Sequence, residues 1–193
     1  MIDKTKNINN KIFNIPYTNI SGFEPITDEN KVEIINSFPY INFNEDYDFF
    51  EILNSKKYQK FAVSLWDKWE YQISDNFENL LITKSNDEKK ERDSKIVNLS
   101  IDLVNRYKIY YFNVLENKFF KGNKNILINE LKKDNYTSSS YQFLLPEINV
   151  IYHIDFDWTV YFLISQDKEF PQEIQNLIKK NNLHLVDNLF YIK

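Results

Sequence analysis

Every even-numbered residue from Ile148 to Ile164 is apolar, and most odd-numbered ones are polar. The apolar set is Ile148, Val150, Tyr152, Ile154, Phe156, Trp158, Val160, Phe162 and Ile164. The odd set holds Glu147, Asn149, His153, Asp155, Asp157 and Thr159, with Ile151, Tyr161 and Leu163 as exceptions. A period of two is the signature of strands that bury one face. The run is too long for one ordinary strand. It therefore predicts a hairpin with its turn around residues 155–158, one face against a core and the other wet.

Three polar residues of that wet face, His153, Asp155 and Asp157, alternate along the chain. In a strand, alternate residues stand about 7 Å apart. A metal needs its ligands at about 2–2.5 Å, so one ion would reach all three only if the hairpin tip curled. The only other histidine is His184, far along the sequence. The expectation is therefore no metal, no cofactor and no catalytic residue. A solvated acidic sheet face accounts for the pattern without any site. The functional alternative is a surface for a protein partner, since acidic side chains beside aromatic ones suit recognition. On that reading Glu147, His153, Asp155 and Asp157 are the partner-binding residues.

The remainder of the chain divides by pattern. Residues 1–44, with "NIPYTNISGFEPITDEN", read as an irregular wrapping segment, and "SFPYINF" as at most an edge strand. Residues 45–135 read as mainly helical. "NEDYDFFEIL" predicts a short helix with acids in its first turn. From Tyr58, apolar residues at Phe61, Ala62, Leu65, Trp66, Trp69, Ile73, Phe77, Leu80 and Leu81 fit a helical period over about six turns. "KSNDEKKERDSK" is a loop or the exposed start of the next helix, whose stripe runs through Ile96, Leu99, Leu103 and Tyr107. The two helices would form an antiparallel hairpin, the second continuing through "KIYYFNVL" to about residue 116. Gly122 breaks the chain before a short helix in "NILINELKKDN". Residues 136–193 read as strand, strand, strand, helix and strand. The helix "PQEIQNLIKKNN" is opened by Pro171 and closed by asparagines. The 193 residues form one α+β domain on this reading, a central helical hairpin packed on one face of a C-terminal antiparallel sheet.

Composition excludes several kinds of chemistry. With no cysteine, disulfides, zinc thiolates and cysteine nucleophiles are ruled out. The only glycines, Gly22 and Gly122, are isolated, which rules out the P-loop, the dinucleotide fingerprint and the G-x-S-x-G elbow. A net charge of −4, with lysines scattered among acids, argues against nucleic acid as partner. No signal peptide or membrane span is evident, and the Asn-, Ile- and Lys-rich usage suits an AT-rich bacterial genome, so a cytoplasmic bacterial protein is expected. Glu45, Asp46, Asp48 and Glu51 lie close together, as a carboxylate hydrolase would need, but helix-start electrostatics explains them. "YTSSSY" has hydroxyls without a base, Trp66, Trp69 and Phe77 make a core stripe, and the lysines of "KYQKFAVSLWDKW" fall on its wet side.

The segments "FLLPE" and "DFDWT", with the strand, helix and strand that follow, make the last quarter of the chain resemble small bacterial immunity proteins encoded beside polymorphic or contact-dependent toxins. That resemblance implies an acidic, non-enzymatic inhibitor that binds and neutralises a cognate toxin. A basic toxin domain would gain steering from such a partner. The competing readings are a metal-dependent or carboxylate-based hydrolase and an adaptor in a phage or defence system.

Overall fold

The computed structural model describes residues 23–41, 43, 52, 55–67, 82, 84–113, 118–133, 142–154 and 158–186. They build an α+β fold around one antiparallel sheet. Its strands are β1 (Glu24–Pro25), β2 (Tyr58–Ser64), β3 (Tyr110–Asn113), β4 (Lys118–Lys121), β5 (Gln142–Leu145), β6 (Val150–Ile154), β7 (Thr159–Ser165) and β8 (His184–Val186). Their spatial order is β1-β4-β3-β5-β6-β7-β2-β8. The helices are α1 (Asp28–Ser37), α2 (Asn86–Arg106), α3 (Lys124–Lys133) and α4 (Gln172–Lys180).

The alternating run folds into the hairpin β6–β7, paired from Val150↔Ile164 to Ile154↔Val160. Its even face meets the larger core. There Val150, Tyr152, Ile154, Val160, Phe162 and Ile164 pack with Ile96, Leu99 and Leu103 of α2, Leu127 and Leu131 of α3, and Ile174, Leu177 and Ile178 of α4. The odd face is also buried. Ile151 and Leu163 join Leu144, Tyr110, Phe112 and Phe119 in a second core, closed by Ile34 of α1 with Phe38, Ile41 and Ile52. Helices thus cover both faces, where a single covered face was expected. Two of the three apolar exceptions at odd positions, Ile151 and Leu163, belong to this second buried layer, and Tyr161 packs with Ala62 and Val186.

Three other stretches depart from expectation. Residues 58–64 are a strand, not the start of a long helix. Phe61, Ala62 and Leu65 fit either period over so short a window, and seven paired residues from Tyr58↔Ser165 to Ser64↔Thr159 decide it. β2 also pairs β8 on its other side at Ala62, Val63 and Ser64, so that part of it is held at both edges. The helix of "KIYYFNVL" is strand β3 instead. α2 ends at Tyr107, which has extended φ and ψ of −118° and 155° and donates its N–H to Leu103 O. Residues 109–112 then alternate between the two cores, as a strand covered on both faces must.

Helix α1, in a stretch read as irregular, has a reciprocal cap. Asn30 N–H donates to Thr27 Oγ1 at 3.4 Å and Thr27 N–H to Asn30 Oδ1 at 3.1 Å. "SFPYINF" supplies its last residue and the turn after it, not a strand. Of the helix expected in "NEDYDFFEIL", residues 44–53, only Ile52 is described, and 68–81, the rest of the expected long helix, lie outside the described residues. At the far end, Asn182 takes φ 53°, and Leu183 N–H returns to Ile178 O at 3.1 Å, the left-handed stop expected of the asparagines after α4.

Candidate functional site

β6 runs between two ends of the molecule with different chemistry. At one end it passes through residues 155–157 into β7. Asp155 and Asp157 lie outside the described residues, but both ends of the segment that carries them are defined. On one side stands the Ile154↔Val160 pair. On the other stands Trp158, buried and left-handed at φ 57°.

A bulky residue with positive φ costs roughly 1–3 kcal/mol and persists only where its surroundings over-determine it. Here they do. The Trp158 indole Nε1 donates to Asp93 Oδ1 at 2.9 Å. Asp93 Oδ2 accepts from Lys89 Nζ at 2.7 Å. The Arg92 guanidinium lies 5.1 Å from the Trp158 ring and 5.7 Å from that of Trp66. The two indoles meet edge-on at 6.4 Å and 82°.

The first turns of α2 hold this anchor. Ser85 caps the helix by accepting from Glu88 N–H at 3.1 Å. Glu88 pairs with Arg92 at 2.6 Å, one turn on, which sets the guanidinium over the indoles. Asp93 lies on the helix face that carries Ile96, Ser100 and Leu103, so it is buried against the sheet.

Of the four residues expected to share a wet face, the structure describes two, His153 and Glu147. His153 is buried, which corrects its expected exposure. It sits opposite Gln142 and Tyr161, with its ring stacked on Tyr161 at 6.3 Å and 16°. The same sheet face carries the buried Ser64 and Thr159, directly opposite one another. Burial pushes the His153 imidazole down to about 3, so it is neutral at physiological pH. Glu147 is exposed, but it lies in the 3-10 turn Pro146–Ile148 at the other end of β6. Five strand residues separate the two ends, about 17 Å at 3.3 Å per residue.

Asp93, Arg92, Lys89 and Trp66 were not singled out in the sequence. A signal was present. Asp93 precedes Ile96 by three positions and Ser100 by seven, so it occupies the buried stripe, and a buried polar group requires a partner. Among the described residues no three histidine, cysteine, aspartate or glutamate side chains gather as metal ligands. None of the described helices is long and apolar enough to cross a membrane. No protein-family model, curated protein or solved structure matches the chain.

Proposed function

We propose that the chain is a non-enzymatic binding protein of the bacterial cytoplasm, an immunity protein that neutralises a cognate toxin through the acidic segment 155–157. The observation that carries this reading is the buried, left-handed Trp158, fastened to Asp93 and covered by Arg92. It pins one end of a three-residue segment whose other end is pinned by strand pairing. Fixed flanks at Ile154 and Trp158 would lower the cost of docking for the acids between them. Asp155 and Asp157 would meet cationic groups of the partner, and the net charge of −4 favours approach of a basic toxin domain. His153, buried in the sheet, would not reach the partner, while the exposed Glu147 stands at the other end of β6.

The test is co-expression with the toxin domain encoded immediately upstream in the source genome. The wild-type chain should restore growth. The double variant Asp155→Lys, Asp157→Lys should lose protection while its unfolding free energy stays within about 0.5 kcal/mol of wild type. A variant that protects equally well, or unfolds, would sink the assignment to 155–157. Failure of the wild type to protect would sink the immunity reading.

A further inference from the structure

The end of β6 that carries Glu147 opens on a cleft of about 270 Å³. Its floor is apolar, made by Val104 of α2, Ile109 ahead of β3 and Leu127 of α3. Its walls carry four cations: Arg106, Lys108, Lys121 and Lys124. Such a gathering is out of character for a chain with a net charge of −4.

Carboxylates pair with two of the four, and Glu33 also lies within electrostatic reach of a third, Lys121. Lys108 and the Tyr110 hydroxyl both donate to Glu33 Oε2. Burial would raise the Glu33 carboxyl, but these bonds outweigh it and hold the group below its ordinary value, so it stays charged. Arg106 reaches Glu173 at 3.3 Å, in a pair half open to solvent. Lys124 donates to the neutral carbonyl of Asn105 at 3.0 Å, which positions its charge without cancelling it. Among the described residues no carboxylate lies within ion-pairing distance of Lys121 or Lys124.

The backbone adds to the field. α3 begins at Lys124, and Asn123 Oδ1 accepts from Asn125 N–H at 3.1 Å and Ile126 N–H at 3.3 Å. The positive end of that ten-residue helix borders the cleft at Lys124, with two of its first N–H groups already taken by the Asn123 side chain. Two ammonium groups and a helix terminus match a doubly charged phosphate better than a single carboxylate. Glu147, the only carboxylate on the wall, would repel that phosphate from its own side and accept hydrogen bonds from hydroxyl groups.

We propose that this cleft binds a small hydroxylated phosphate monoester of sugar-phosphate size, its phosphate at Lys121 and Lys124 and its hydroxyls toward Glu147. The apolar floor would take the C–H face of the ligand body. This site lies at the opposite end of β6 from the 155–157 segment and does not rest on the partner reading.

Titration calorimetry of the full chain with ribose 5-phosphate, inorganic phosphate and ribose, in 150 mM salt, tests it. Ribose 5-phosphate should bind at least about 10-fold more tightly than inorganic phosphate, and ribose should give no heat. The double variant Lys121→Gln, Lys124→Gln should weaken the sugar phosphate at least about 10-fold with its melting temperature unchanged. Glu147→Gln should shrink the preference for ribose 5-phosphate over inorganic phosphate. No binding at millimolar ribose 5-phosphate, equal binding of it and inorganic phosphate, or unchanged binding by the lysine variant would each overturn the proposal. If the lysine variant fails to fold, Lys121→Arg, Lys124→Arg keeps the charge, and loss of binding there without loss of folding counts equally against it.

Discussion

His153 shows how one residue's role is set by what covers it. It stands in a strand at a position where alternation calls for a wet side chain, yet it is 7% exposed and stacked on Tyr161. Burial lowers its pKa from 6.5 to about 3. The unfolded chain takes up a proton as pH falls through 6.5, while the folded chain does not until about 3. More protons are then bound by the unfolded state, so stability is lost across that window as pH falls. The loss from this residue is at most about 1.4 kcal/mol per pH unit. Denaturant unfolding at pH 7, 6 and 5 should show wild-type stability declining with acid, and His153→Gln should flatten that decline. Parallel slopes in the two proteins would show that His153 is protonated in the fold. Nothing in the local sequence distinguished His153 from Asp155 or Asp157, because the residues that bury it are distant in the chain.

At the scale of elements, α2 is fastened to the sheet by polar bonds inside an apolar layer. Ser100 Oγ lies 2.7 Å from Tyr152 Oη and 2.9 Å from Ile96 O. If Ser100 donates to the Ile96 carbonyl, Tyr152 donates to Ser100. The two groups are therefore unequal. Ser100→Ala strands the Tyr152 hydroxyl in the core and should cost about 1–3 kcal/mol, whereas Tyr152→Phe leaves Ser100 still bonded to Ile96 and should cost about 1 kcal/mol or less. Chemical denaturation of the two variants checks the order, and a larger loss for Tyr152→Phe would refute it. The helical stripe from Ile96 to Tyr107 was legible because its period is local. The fate of 58–64 was not. Tyr58, Phe61 and Ala62 suit a helix as well as a strand, and the choice was made by the backbones of β7 and β8 on either side.

For the whole molecule, the decisive fact is that the sheet has two buried faces. Leu163 is an odd-position residue with no solvent exposure, packed in the layer closed by α1. Leu163→Ala should therefore cost about 2–5 kcal/mol, as truncation in a packed core does. A sheet with one wet face would tolerate it nearly without loss, so thermal unfolding of this variant separates the two architectures. The same two-layered build separates the acidic segment 155–157 from the basic cleft at Glu147, since the turns of one hairpin arm lie at opposite ends of a strand.

The sequence by itself determined the β6–β7 hairpin, the face of it that meets the larger core, the presence of helices α2, α3 and α4, and an α+β fold. Each of these follows from periodicity and turn chemistry, which act over a few residues and need no knowledge of the rest of the chain. Only the tertiary structure decided that 58–64 and 110–113 are strands, that α1 closes a second core, and that His153 is buried apart from Glu147. It also joined Trp158 to Asp93, which lies 65 positions earlier in the chain. Those outcomes depend on which distant surfaces meet, and a hydrophobic pattern states that a face must be covered without stating by what.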